Sequence, residues 1–234
     1  MNNKMILTDD LTAALVGEVL LFSLLGRALY QEPDREWLNQ LVSDEVFSES
    51  PFGAAQIEIV RGLEILQKWA DEQAGGISDQ NFNDLRMDYT RLFIGLGSMP
   101  AVPWESVYFN NERLVFQEQT IQVRNWYARF GMQIEQINKE PDDHIGLELL
   151  FVSHLASRGL RAIEQADQQS LDDVLQAQRD FLLEHLLRWG PAWATLAKQH
   201  ASTDFYRGMA HLAHGALLAA AQMLQVPLPK VATL

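Results

Sequence analysis

The stretch Thr8-Asp9-Asp10-Leu11-Thr12-Ala13-Ala14-Leu15-Val16-Gly17-Glu18-Val19-Leu20-Leu21-Phe22-Ser23-Leu24-Leu25-Gly26-Arg27-Ala28-Leu29-Tyr30 decides the fold class. Leu11, Leu15, Val19, Phe22, Leu25 and Leu29 recur at i, i+3/i+4, the spacing of a helix with one apolar face. Thr8-Asp9-Asp10 reads as its N-terminal cap, and Pro33 ends the run. The charges Glu18 and Arg27 interrupt the stripe, which argues against a membrane span or the apolar core of an export signal.

The same rhythm repeats along the chain. A short helix is expected over 34–42. A longer one is expected over 54–74, stopped by Gly75-Gly76. Ser78 caps another, whose stripe Phe82, Leu85, Tyr89, Leu92 and Phe93 ends at Gly95. Further helices are expected over 118–130, from Glu140-Pro141-Asp142-Asp143-His144 to a stop at Gly159, and over 170–189, 191–200 and 204–226, the last capped by Thr203. The composition agrees: 34 Leu and 24 Ala stand against 13 Val and 11 Ile. No stretch alternates apolar and polar residues as a half-buried strand would. The expectation is one all-α domain over residues 1–234, a bundle of roughly ten helices without internal repeats.

One segment breaks the rhythm. Gly95–Asn111 holds two Gly and two Pro, yet carries large apolar side chains. A long irregular segment in a helical protein is either functional or a plug on the core, with Trp104, Val107 and Tyr108 as the plugging residues. A second irregular stretch covers 132–141.

Charge and composition exclude several chemistries. Lys and Arg number 18 and Asp and Glu 31, giving a formal net charge of −13 in 234 residues. Such a chain is a poor general binder of nucleic acid or anionic lipid and suits a neutral or basic partner. It has no Cys, so disulfides and thiol chemistry are absent. The N-terminus Met1-Asn2-Asn3-Lys4 is followed by Asp9-Asp10, and no Arg-Arg pair occurs anywhere, which points to the cytoplasm. No phosphate-binding loop, G-x-G-x-x-G, G-x-S-x-G or H-E-x-x-H is present. His211 and His214 stand at i, i+3 on one helix, but no Glu-x-x-His accompanies them, so an ordinary polar pair is the better reading than a metal site. Asp143 beside His144, with Glu148 one turn on, has the residue types of an acid–base pair. Adjacent helical residues point in different directions, and acidic residues at a helix start also serve as caps.

Four separated blocks then resemble one family: Tyr89-Thr90-Arg91-Leu92-Phe93-Ile94-Gly95; Pro100-Ala101-Val102-Pro103-Trp104-Glu105-Ser106-Val107-Tyr108; Gly131-Met132 followed by Glu140-Pro141-Asp142-Asp143-His144-Ile145-Gly146; and Phe181-Leu182-x-x-His185-Leu186-x-x-Trp189 followed by Phe205-Tyr206-Arg207. They resemble the DmsD/TorD family of twin-arginine signal-binding, redox-enzyme maturation chaperones, over most of residues 85–207. The chain departs from the pattern at Val102-Pro103, where related sequences often carry a Pro-Pro pair.

The resemblance implies an all-helical, cytoplasmic chaperone with no cofactor and no catalytic activity, a monomer or dimer. Its partner would be the twin-arginine leader of a molybdenum-cofactor oxidoreductase precursor of the DMSO-reductase type, held back from export until cofactor loading. The twin-arginine translocase is a second partner, and neither nucleic acid nor stable membrane insertion is implied. A leader of two guanidinium groups and an apolar stretch asks for an apolar surface with acids at one end. Tyr89, Leu92, Phe93, Pro100, Pro103, Trp104, Ser106 and Tyr108 are the expected apolar and loop contacts, and Glu140, Asp142, Asp143 and His144 the expected acidic end. The competing readings are a helical assembly subunit of a redox complex and a small helical enzyme using Asp143 and His144.

Overall fold

The computed structural model describes residues 2–95, 99–110, 112–132 and 140–229, with side chains from residue 9 onward. Among these residues it holds nine α-helices: α1 (Asn2–Tyr30), α2 (Arg35–Ser43), α3 (Ile57–Glu72), α4 (Asp79–Tyr89), α5 (Glu118–Arg129), α6 (Ile145–Glu164), α7 (Gln168–Phe181), α8 (Leu187–His200) and α9 (Asp204–Met223). No strand occurs among them. Among the described residues the sole extended pairing is an antiparallel bridge between Trp104 and His144.

Local chemistry sets most helix starts. The side chains of Asp34, Ser78, Asp167 and Thr203 each accept a bond from the backbone N–H three residues on, satisfying a donor the helix leaves free. α1 is different. It begins at Asn2 and runs straight through Thr8-Asp9-Asp10, so those residues are not its cap.

The expected stop at Gly159 is also absent. α6 continues to Glu164, because Gly159 faces α1, where an added Cβ would lie 3.1 Å from a Leu15 methyl. The break expected before Pro191 is absent too. α7 passes through a widened π turn, Leu182–Leu186, directly into α8, and Pro191 sits inside α8. The local change of register is what accommodates it.

The helices bury one large core and a small second cluster of Leu15, Ala156, Ala162 and Leu171, with α1 packed along α6 and α3 along α9 as the main seams. At the first seam the backbones nearly touch: a Cβ on Gly146 would stand 2.7 Å from Tyr30 Cβ and 2.9 Å from the Gly26 carbonyl oxygen. Over Asp9–Tyr30, α1 is long and apolar enough to cross a membrane. Its packing against α6, with Phe22, Leu25 and Leu29 fully buried, gives that apolarity its use within the bundle.

Candidate functional site

α4 ends in a second π turn, Thr90–Ile94, closed at Gly95, whose φ of +72° suits glycine. This turn launches the irregular segment. Tyr89, Leu92 and Phe93 all point into the core and are buried. The Tyr89 hydroxyl donates to the Tyr30 carbonyl at 2.7 Å, and the Phe93 ring lies against Tyr206 and Trp193. They anchor the segment from beneath and present no surface.

The two irregular segments meet. Glu105 N donates to the Asp143 carbonyl at 2.9 Å, and Ile145 N to the Pro103 carbonyl at 2.7 Å, on either side of the Trp104–His144 bridge. The Asp143 carboxylate, fully buried, accepts from Ser106 N at 2.7 Å and from the Thr120 hydroxyl at 2.7 Å. One side chain thus ties the loop, α5 and the start of α6 together. Tyr108 closes the loop on itself by donating to the Val102 carbonyl at 2.9 Å.

Asp142 is engaged as well. Arg124 holds its carboxylate at 2.6 and 2.8 Å, and the Tyr127 hydroxyl donates to its carbonyl. His144 is the N-cap of α6: its Nδ1 accepts from Gly146 N at 3.0 Å. Burial holds its pKa down at about 3, so the ring is neutral. The Asp143 carboxylate bonds to Ser106 and Thr120 while the His144 ring caps its helix, so the two side chains are put to separate structural uses.

Beneath the loop lies a buried polar cluster that spacing alone did not connect. Glu105, fully buried, meets His185 Nδ1 at 2.8 Å. Burial raises the Glu105 carboxyl, and His185 opposes that rise. Glu148 accepts from the Trp189 indole at 3.3 Å. Burial first, then the charges on Glu105 and Asp143, push its carboxyl far above the usual range. The π turn at Leu182–Leu186 aims His185 at this cluster. Eighty residues separate Glu105 from His185, and only the fold joins them.

What reaches solvent around the seam is a small rim. Trp104 is half-buried, its ring 6.3 Å from His144, and Met99 and Pro100 are half-buried too. Glu140 keeps 34% of its side chain exposed, with its carboxyl raised by burial and opposed by a hydrogen bond from Tyr30. The segment 133–139 lies outside the described residues, so most of the expected irregular stretch 132–141 is not part of this description.

His211 and His214 face a different group. Glu58 Oε2 lies 2.9 Å from His211 Nδ1, 3.5 Å from His214 Nδ1 and 2.8 Å from the Lys198 ammonium. Among the described residues no group of three His, Asp or Glu is arranged to hold a metal.

A helical bundle pins one irregular loop with buried carboxylates and leaves a half-exposed aromatic and acidic rim, so the chain is an all-α protein with a candidate site at that rim. Comparison with known sequences places it. The profile of the nitrate reductase delta subunit family matches residues 61–195, and the chain belongs to that family. It is similar to the chaperone protein TorD of Vibrio cholerae, 33% identical over 156 residues, which are 67% of this chain and 66% of that one. It is also similar to the Tat proofreading chaperone DmsD of Salmonella typhi, 32% identical over 125 residues, 53% of this chain and 54% of that one. The matches thus span somewhat less than two thirds of these relatives. A solved structure from Archaeoglobus fulgidus, assigned by inference to redox enzyme maturation, overlaps with a TM-score of 0.45 at 20% identity over 84% of this chain and 91% of that one; at that score it says nothing more about this chain. Both named relatives are chaperones.

Proposed function

We propose that this chain is a cytoplasmic chaperone for the precursor of a molybdenum-cofactor oxidoreductase of the DMSO-reductase type. It binds the precursor's twin-arginine leader and delays export until the cofactor is loaded. The observation that carries the reading is membership in a family whose named members are chaperones, one of them a Tat proofreading chaperone.

The geometry suggests how the expected residues divide the work. Asp142 and Asp143 are buried in bonds within the protein, so Glu140, which reaches solvent although Tyr30 bonds to it, is the carboxylate offered to the leader's guanidinium groups. A guanidinium there forms charge-assisted bonds and opposes the burial that raises the Glu140 carboxyl. Trp104 offers its apolar face to the stretch that follows. Pro100, Pro103, Ser106 and Tyr108 hold the loop on course, Tyr89, Leu92 and Phe93 support it, and His144 sets the start of α6.

Two measurements test this. Pull-down with the chain as bait, from anaerobically grown source cells, recovers a molybdoenzyme precursor with its leader intact. Titration calorimetry with that leader shows Trp104→Ala weakening binding by about 2 kcal/mol or more, as for other aromatic interface anchors. Glu140→Gln weakens it too, with the unfolding midpoint unchanged in both. Failure to recover a leader-bearing precursor refutes the function, whereas parental affinity in both folded variants moves the site elsewhere. The family description also names a reductase subunit, which favours a second reading as a structural subunit. In that case the partner recovered is the folded reductase.

A further inference from the structure

The chain is strongly acidic, yet four arginines gather in one region without a carboxylate partner. Arg129 ends α5, Arg158 and Arg161 stand one turn apart on α6, and Arg188 lies in the first turn of α8. All four are exposed. Among the described residues no Asp or Glu oxygen lies within 4.0 Å of any of them; Arg27, Arg86, Arg113 and Arg179 share that lack elsewhere, and what sets these four apart is that they line two adjoining pockets.

Two adjoining pockets share Arg129. One, of about 510 Å³, is lined by Arg158, Arg161 and Phe130. The other, of about 520 Å³, is lined by Arg188, Trp126 and Asn125. Trp126 and Phe130 stack, 6.0 Å between centroids and 14° between planes, and so stand between the two. The guanidinium carbons of Arg129 and Arg158 lie 5.2 and 5.8 Å from the one Phe130 ring, so two like charges share an aromatic support. Helix dipoles account for Arg129 and Arg161, which sit in last turns, but not for Arg188 just beyond the π turn or Arg158 mid-helix. Asp173 and Glu184 stand on the pocket walls beyond ion-pair reach, so the guanidinium groups keep most of their donors free.

We infer that this surface docks an acidic segment of a partner polypeptide, lying across both pockets with its carboxylates on Arg129 and the arginines to either side. Charge complementarity carries the choice. With a net charge of −13, the rest of the molecule repels such a segment, so this cluster selects where it lands. Two pockets joined at one arginine suit a chain bearing several carboxylates better than one small anion, since each planar guanidinium pairs with one carboxylate in bidentate fashion.

The test is fluorescence anisotropy on the full chain, with a labelled twelve-residue peptide of alternating Glu and Ala and its Gln–Ala counterpart. The acidic peptide is expected to bind at least tenfold tighter than the Gln peptide. Arg129→Gln/Arg158→Gln is expected to lose at least tenfold while the unfolding midpoint holds. Arg161→Gln/Arg188→Gln, on solvated side chains, is the second variant should the first unfold. Equal binding of the two peptides, or parental binding by a folded double variant, overturns the inference. So does displacement of the peptide by inorganic phosphate at matching concentration, which would make this a small-anion site. Sedimentation showing a dimer that the double variant abolishes overturns it as well, because the occupant is then a second copy of the chain.

Discussion

Glu18→Gln should stabilise the protein at alkaline pH and do little at acid pH. Glu18 sits in the middle of α1 with no exposure, and one hydrogen bond reaches it, from Gln178 Nε2 at 3.0 Å. Its Oε1 and the Gln178 Oε1 are both buried without a partner. A single proton on the carboxyl is the natural remedy, since it removes the charge and supplies a donor. Burial accordingly raises the pKa from 4.5 to about 7, against the opposing bond from Gln178. A carboxyl with a raised folded-state pKa contributes stability that is fully present below the unfolded value and is lost as pH rises through the folded one. The window is therefore about pH 4.5 to 7. At 1.36 kcal/mol per pKa unit the full cost of ionisation is on the order of 3 kcal/mol. In Glu18→Gln the new amide donates to the orphaned Gln178 oxygen at every pH. Urea unfolding of parent and variant at pH 5 and pH 8 should show a variant advantage that grows by roughly 2 kcal/mol between them, or by several degrees in midpoint for a chain this size. Taking the difference between the two proteins removes every other titrating group. A difference that stays flat across that range would refute the protonated Glu18–Gln178 pair.

Three further outcomes test the seam. Asp143→Ala leaves Ser106 N and the Thr120 hydroxyl buried and unsatisfied, each bond to a charged partner being worth about 1.5–3 kcal/mol; relief of repulsion with Glu105 and Glu148 offsets part, so the expected loss is roughly 3 kcal/mol by chemical unfolding. Thr120→Val should cost much less in that background than in the parent. His144 has a pKa lowered by burial to about 3, so the stability it contributes is present above its unfolded value near 6.5 and is lost as pH falls toward 3. His144→Asn, which retains a capping side chain, should lose less stability than the parent between pH 6.5 and 4, and parallel curves would count against a neutral buried ring. Gly146→Ala places a methyl 2.7 Å from Tyr30 Cβ and should cost about 1–3 kcal/mol by overpacking the α1–α6 crossing; a neutral result would mean that the crossing is looser than described.

The candidate site was legible in outline. The irregular loop and the Glu140–His144 block stood out because Gly, Pro and clustered acids break the helical period. Which of their side chains reach solvent did not stand out. Asp142, Asp143 and Glu140 look alike in a list of acids, yet Arg124, Ser106 and Thr120 claim the first two and leave the third on the rim.

The sequence alone determined the all-α class and most helix starts, because periodicity and capping are local. A cap at Ser78 or Thr203 acts on a backbone N–H three residues away, and nothing distant is needed to form it. The tertiary structure decided what depends on a neighbour far along the chain. Gly159 passes through α6 because α1 needs the space that a side chain would fill, and Pro191 rides inside α8 behind a π turn that aims His185 at Glu105. Glu18 is the sharpest case. In the sequence it is a charge interrupting an apolar stripe, which argues only against a membrane span or an export signal. In the fold it lies at the α1–α7 contact with its pKa raised to about 7, because burial penalises the charged form, while Gln178, 160 residues away, supplies its one hydrogen bond.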